Sequence, residues 1–385
     1  MPQELSPVLE RLFAEYDELL SKVEQDEASA LDLAVMKIAQ WEPDFRRNPD
    51  AEVVEQQTEA WARHHGIWKE GYSEHTNTMG AYLHPETASP RILNAIDKTY
   101  LILFYIDDTF SNELQKDLSP EERTAGEQIM RELFQLIASQ DRLGQLPSSR
   151  FGVVNATREL IQDLQELADP AWLERFMVDL VKHLEDTAQD QNEQAIGEKF
   201  TRLTFLERRN DISGMFVTNW YMEFATGQYL PREVLPLQVS QLCERINYLC
   251  AIIGGTANEF YSFEKEVIDH RDEFNIIPIT MINNPEMGLM AAITDCMEFL
   301  NQSSQELLEV SDQLTQLLPS LPAEQAKPVQ EYLRQARFVA LASWFWELDT
   351  DRYQRQRSIF QQTALQWRQA HGYTGKLRSG QPLAA

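Results

Sequence analysis

Apolar residues recur at helical spacing along most of the 385-residue chain. Leu9, Leu12, Phe13, Tyr16 and Leu20 follow Ser6-Pro7 at steps of one, three or four, which predicts a first helix through Leu20. A second apolar stretch covers Ala30 to Ile38, Pro43 to Pro49 reads as loop, and Ala51 to His64 as helix. Pro85 and Pro90 break the chain before a long helix from about Arg91 to Phe110. Ser119-Pro120-Glu121-Glu122, with Pro at the first helical position, starts a helix that runs to Gln140, and Arg142 to Ser149 is loop. Thr157 to Leu167 and Pro170 to Asp190 follow. Gly197 to Asp211 leads into a break at Ser213-Gly214, Met215 to Thr226 resumes, and Pro231 with Pro236 ends that helix. Leu237 to His270 is helical, with a kink expected at Gly254-Gly255. Ile277-Pro278 and Asn283-Asn284-Pro285 mark loops, and Met287 to Leu317, Ala323 to Leu348 and Tyr353 to Ala370 complete the set.

The sequence contains no strand pair, internal repeat or shift in composition that would divide it. The reading is a single all-α domain over residues 1–371, with a flexible tail over 372–385, where three Gly and one Pro stand among little apolar content. Hydrophobic residues make up 43% of the chain, enough for a sizeable core. The net charge of −27 argues against a nucleic-acid binder and against docking on anionic lipid; its plain role is solubility. Three cysteines at no metal-ligand spacing fit a reducing cytoplasm. The N-terminus carries no basic and apolar leader pattern, and no run approaches 18 apolar residues, so no membrane span is expected.

Two polar groups stand out against this background. Asn258, Ser262 and Glu266 recur every four residues, so they share one stripe of a helix, and Lys265 falls beside them. Three oxygen ligands and a cation on one face suit a hard divalent metal that carries phosphate. Asp107 and Asp108 end the apolar run Tyr100 to Ile106, and a divalent cation would relieve the repulsion between two adjacent carboxylates. The plain alternatives are a solvated helix end for the Asp pair and a polar surface face for the triad. Ile246 to Ile253, just before the triad, is apolar around most of its circumference, which suits a buried helix. There is no Ser–His–Asp order, Gly-rich phosphate loop or zinc spacing.

These residues resemble the class I terpene synthases (terpene cyclases), chiefly their bacterial branch. Asn258, Ser262 and Glu266, with Lys265, match the family's Asn/Ser/Glu triad. Asp107-Asp108 is similar to its aspartate-rich motif, except that Ser111 stands where a third acid is usual and the nearest acid is Glu113. Arg352-Tyr353 resembles the family's Arg-Tyr pair. Glu207 to Gly214 resembles the diphosphate-sensing segment, with Arg208 as sensor, Asp211 as linker and Ile212 as carbonyl donor; Arg209 is the alternative sensor. The four sites span residues 107 to 353 in the family's order.

The resemblance implies a single-domain α-helical bundle with a central active-site cavity. It implies three Mg²⁺ ions: Asp107, helped by Asp108 or Glu113, would hold two, and Asn258, Ser262 and Glu266 the third. Arg208, Lys265, Arg352 and the Tyr353 hydroxyl would hydrogen-bond the diphosphate of a linear prenyl substrate. Ionisation of that substrate would leave a carbocation to cyclise in a dry pocket. Phe104, Trp220, Trp344 and Trp346 are the candidate pocket aromatics, one or two lining it and the rest serving as core. Farnesyl diphosphate is the leading substrate, then geranylgeranyl, with 2-methylgeranyl retained because of the spaced acid. A homodimer is in keeping with the family. The alternatives are a chain-elongating prenyltransferase, which would carry two aspartate-rich motifs, and a non-catalytic all-α isoprenoid-binding protein. The Asp-x-Asp-Asp signature of protonation-initiated cyclases is absent.

Overall fold

Among the described residues, most of the apolar stripes fold into helices that bury them. The computed structural model describes residues 6–24, 41, 44–73, 76–110, 118–190, 200–353, 355 and 357–360. The first helices are α1 (Pro7–Glu24), α2 (Ala51–His65), α3 (Met79–Leu83), α4 (Pro90–Phe110), α5 (Pro120–Ala138), α6 (Gly152–Leu167) and α7 (Pro170–Asp190). They are followed by α8 (Arg202–Ile212), α9 (Met215–Phe224), α10 (Leu237–Phe263), α11 (Ile276–Asn283), α12 (Leu289–Leu317) and α13 (Ala323–Asp349). No strand occurs among the described residues, so the chain is all-α. None of the described helices is long and apolar enough to cross a membrane.

Local chemistry explains the starts and stops. Ser119 caps α5 in a reciprocal box: its Oγ accepts from the Glu122 N–H at 3.2 Å, and Glu122 Oε2 accepts from the Ser119 N–H at 2.8 Å. α6 begins five residues before the expected Thr157, because Val153, Val154 and Ala156 continue its buried stripe. Part of the expected loop after Gln140 is a 3₁₀ turn, Gln140–Gln145. Ile277-Pro278 is helical rather than loop: Asn275 caps α11 by accepting from the Ile277 N–H at 3.0 Å, and proline is tolerated in a first turn. The expected helix from Tyr353 is not formed in its described part, where Asp351–Tyr353 is a 3₁₀ turn and 357–360 are bends and turns. Residues 30–38, 361–370 and the tail 372–385 lie outside the described residues.

The core is continuous from α1 to α13. Trp172 stacks on Phe176 and Phe224, with ring centroids 4.9 and 5.1 Å apart. α10 packs along α12 and α13, while α4 packs against α2 and α6. The expected kink at Gly254-Gly255 is absent, and α10 runs through both as regular helix. These glycines instead let neighbours approach. A Cβ on Gly254 would lie 2.5 Å from Met215 Cε, and one on Gly255 would lie 3.7 Å from Ser213 Cβ, so the start of α9 sits against the middle of α10. A small apolar pocket lies between α4, α5, α6 and α7, lined by Ile102, Leu103, Ile106, Leu133, Leu160 and Leu180 among others. None of its lining comes from α10 or α13, so it is not a space between the two polar groups singled out above.

His84 ends α3 with no exposed surface, its Nε2 lying 3.0 Å from the Tyr100 hydroxyl. Burial holds its pKa down from the ordinary 6.5 to about 3, against a smaller opposing influence of the nearby Gln335 amide. Below about pH 6.5 the unfolded chain takes up a proton that the folded protein refuses until about pH 3, so this residue lowers stability by about 1.4 kcal/mol per pH unit across that window. His84→Asn should remove that slope. In urea unfolding, the stability gap between native protein and variant should narrow steadily from pH 7 to pH 4; parallel curves would show that His84 does not contribute.

Candidate active site

The apolar face of α4 carries Asp108 into the protein at its C-terminal end. Arg352, in the 3₁₀ turn after α13, grips that carboxylate with both nitrogens, Nη2 at 2.9 Å from Oδ1 and Nη1 at 3.3 Å from Oδ2. The Tyr72 hydroxyl donates to Oδ2 at 3.0 Å, and Lys69 Nζ donates to the Asp108 carbonyl oxygen. Burial pushes the Asp108 carboxyl up, but the charge and hydrogen bonds of Arg352, with help from Lys265 and Tyr72, hold it below the usual carboxylate range. Asp107 remains about half exposed (53%), its Oδ2 3.8 Å from Arg352 Nη2. The Arg352 guanidinium also lies over the Phe104 ring, 4.8 Å from its centre.

The second group lies on α10. Asn258 Oδ1 accepts from Arg209 Nη2 at 2.6 Å, and Asn258 Nδ2 donates to the Tyr353 hydroxyl at 2.7 Å. Ser262 Oγ donates to Glu266 Oε2 at 2.8 Å. Arg209 is also paired with the buried Glu259, whose Oε2 accepts from the Ile276 N–H at 2.9 Å. Burial alone would lower the Arg209 pKa, but Glu259, Glu266 and Asp107 raise it and keep the residue a cation between the two groups. Beyond Phe263 the helix widens into a π turn, Glu264–Asp269, which carries Lys265 and Glu266. Glu347 lies beside Asn258, buried; desolvation raises its pKa well above the usual range, against the Arg209 and Arg352 charges and the Asn258 hydrogen bond.

The structure therefore brings Asp107, Asp108, Phe104, Arg352, Tyr353, Asn258, Ser262 and Glu266 together, and Lys265 joins them through its charge on Asp108. Arg208 is not brought to the triad. Its Nη2 donates to the Asp186 carbonyl oxygen at 2.7 Å, and it is Arg209 that reaches Asn258. Asp211 accepts from Lys182 at 2.7 Å. Ile212 ends α8 just before the break, where Gly214 takes the left-handed φ of 73°. Trp220 donates to Asp179 at 2.7 Å and Trp346 to Thr78 at 2.9 Å. Trp344 is buried edge-on to Tyr261, which in turn lies 6.3 Å from the Tyr353 ring. Glu113 lies outside the described residues.

Four further residues enter the site that sequence reasoning did not find: Lys69, Tyr72, Glu259 and Glu347. Lys69 and Tyr72 sit in a connection without periodicity, which offers no signal. Glu259 directly follows Asn258, and Glu347 is a lone carboxylate on the apolar run of α13; either could have been flagged on those grounds. Among the described residues no three His, Cys, Asp or Glu side chains converge as a metal cage. The donors present are instead amide, hydroxyl and carboxylate oxygens on one stripe, a set that fits a hard divalent ion, and two of the three already touch.

Comparison with known proteins gives the same direction. Residues 98–306 match the model of terpene synthase family 2, C-terminal metal binding. The sesquiterpene cyclase hepA of Aspergillus oryzae is 21% identical over 192 residues, 49% of this chain, and the chain spans about half (50%) of the length of that relative. Among solved structures, a single-residue variant of cucumene synthase superposes with a TM-score of 0.65 at 17% identity, covering 80% of this chain and 98% of that one. An α-eudesmol synthase superposes with 0.66 at 17% identity, covering 79% and 96%. At such identities the likeness is one of fold.

The two adjacent arginines of α8 should separate by stability. Arg209→Ala leaves the Glu259 carboxylate buried and uncompensated and should cost about 3–5 kcal/mol. Arg208→Ala, which removes a hydrogen bond to the Asp186 carbonyl oxygen and a long ion pair to its carboxylate at 3.7 Å, should cost less. Urea unfolding of both variants measures the difference, and equal losses would contradict the pairing described.

Proposed function

The chain belongs to terpene synthase family 2 by the match over residues 98–306, and from that premise we propose that it is a divalent-metal-dependent terpene cyclase acting on a linear prenyl diphosphate. The observation that carries this reading is the bridge made by two consecutive residues: Arg352 holds Asp108 on α4 and Tyr353 holds Asn258 on α10. These two expected diphosphate donors thus already contact expected metal ligands, so both kinds of group lie within reach of one small anionic headgroup.

In this reading Asp107 and Asp108 would hold metal at the end of α4, and Asn258, Ser262 and Glu266 would hold it on α10, with Mg²⁺ the expected ion. The bound metal would neutralise charge on the departing diphosphate as the allylic C–O bond ionises. Arg352, Tyr353, Lys265 and Arg209 would donate to the phosphate oxygens, and the fork of an arginine suits that task. Arg209 takes the sensing role over Arg208, because it already caps Asn258. Asp211 and Ile212 would act at the break before α9. Phe104, under Arg352, and Trp344, behind Tyr261, are the aromatics best set to line the hydrocarbon space, where they would exclude water and stabilise cationic carbon. The name of hepA as a sesquiterpene cyclase supports a fifteen-carbon substrate, farnesyl diphosphate.

The test is product analysis by gas chromatography–mass spectrometry after incubation with Mg²⁺ and, separately, geranyl, 2-methylgeranyl, farnesyl and geranylgeranyl diphosphate. A cyclic product and released diphosphate are expected with the farnesyl substrate. Asp107→Ala and Asn258→Ala should lower turnover at least about 100-fold while the helical circular-dichroism signal persists. No diphosphate release from any substrate would mark a binding protein, and condensation to a longer chain a prenyltransferase. An active Asn258→Ala enzyme would refute the metal assignment.

A further inference from the structure

Both ends of the described chain reach the turn that carries Lys265 and Glu266. That turn, Glu264–Asp269, is a π turn, in which the His270 N–H reaches back five residues to the Lys265 carbonyl oxygen at 3.2 Å. Such turns are rare, and neighbours must favour them over continued α-helix. Here the neighbours are identifiable. Glu264 is 3% exposed, and its Oε1 accepts from the Tyr16 hydroxyl at 2.7 Å and from the Ile359 N–H at 2.9 Å. Tyr16 belongs to α1, and its ring also meets Phe263 edge-on, 6.3 Å between centroids. At the far end of the turn Arg355 pairs with Asp269 at 2.5 Å. α1 is itself anchored, since Arg11 donates to the carbonyl oxygens of Pro285 and Met287 at 2.6 and 2.7 Å, and Glu15 accepts from the Leu289 N–H at 2.5 Å. Neither α1 nor residues 355–360 fall within the stretch that the family match covers.

We propose that Glu264 is a positioning residue: by joining the π turn to α1 and to the segment 355–360 at once, it sets the direction of Lys265 and Glu266 relative to Ser262. The inference rests on the function proposed above. Without these contacts the turn is free to revert to α-helix. Reversion removes one residue of slack and rotates what lies beyond it by about 100°, the angle of one helical residue. Lys265 and Glu266, which lie within the turn, would then lose their set direction, and α1 would matter to the site although it contributes no ligand.

The test is calorimetric titration of the full-length protein with inorganic diphosphate at graded Mg²⁺ concentrations, with thermal unfolding in parallel. Glu264→Ala should weaken Mg²⁺–diphosphate binding about ten-fold. Tyr16→Phe should weaken it by a smaller factor, and the double variant should show less than the sum of the two in free energy. Glu264→Gln keeps an acceptor for both donors and should restore most of the affinity. If Glu264→Ala lowers the melting temperature but the folded protein binds as tightly as the native one, the role is structural only and the proposal falls. If Glu264→Ala does not fold, unchanged affinity in Tyr16→Phe overturns it equally. A native protein that binds Mg²⁺–diphosphate but releases none from prenyl substrates refutes the cyclase reading alone; one that fails to bind refutes both.

Discussion

Arg352 and Tyr353 are neighbours in the chain, and between them they tie two helices that are distant in sequence. Arg352 neutralises Asp108 at the end of α4, and Tyr353 accepts a hydrogen bond from Asn258 on α10. The arrangement answers a physical constraint. A half-buried carboxylate beside a second one cannot be left bare, and Arg352 supplies compensating charge here. In the 3₁₀ turn at Asp351–Tyr353 adjacent side chains leave the backbone about 120° apart, so two neighbours in sequence reach two different helices.

The site is also an electrostatic exception within its own molecule. The chain carries a net charge of −27, yet Lys69, Arg209, Lys265 and Arg352 gather around the two polar groups. They are held there by Asp108, Glu259 and Asn258. A polyanionic headgroup meeting metal at this place would therefore find cations already desolvated and oriented, which costs little reorganisation. Glu259 has the supporting part: it fixes Arg209 from below and, through the Ile276 N–H, ties α10 to the start of α11.

Backbone irregularities do the positioning. The break at Ser213-Gly214 lets the chain turn between α8 and α9, and Gly254 and Gly255 receive it on α10 without Cβ atoms in the way. The π turn after Phe263 then re-aims the end of the same helix. α10 thus carries close-packed glycines in its middle, metal-type ligands one turn later, and a widened turn at its end.

The all-α fold was legible in the sequence because helix period, caps and proline breaks are local properties, and the long stripes of α4, α10, α12 and α13 left little choice. The site residues on one helix were legible for the same reason: Asn258, Ser262 and Glu266 share a stripe by spacing alone. Everything that depended on facing a second helix was decided by tertiary structure. Spacing could not choose between Arg208 and Arg209, which differ by about 100° around α8; packing turns one toward α7 and the other toward Asn258. Nor could it show that the indoles of Trp220 and Trp346 bond Asp179 and Thr78. The kink expected at Gly254-Gly255 and the loop expected at Ile277-Pro278 failed because glycine and proline signal backbone freedom and constraint, while neighbours and caps decide how these are used. Lys69, Tyr72 and the Tyr16–Glu264 bond left no local trace, since each joins residues that only the folded chain brings together.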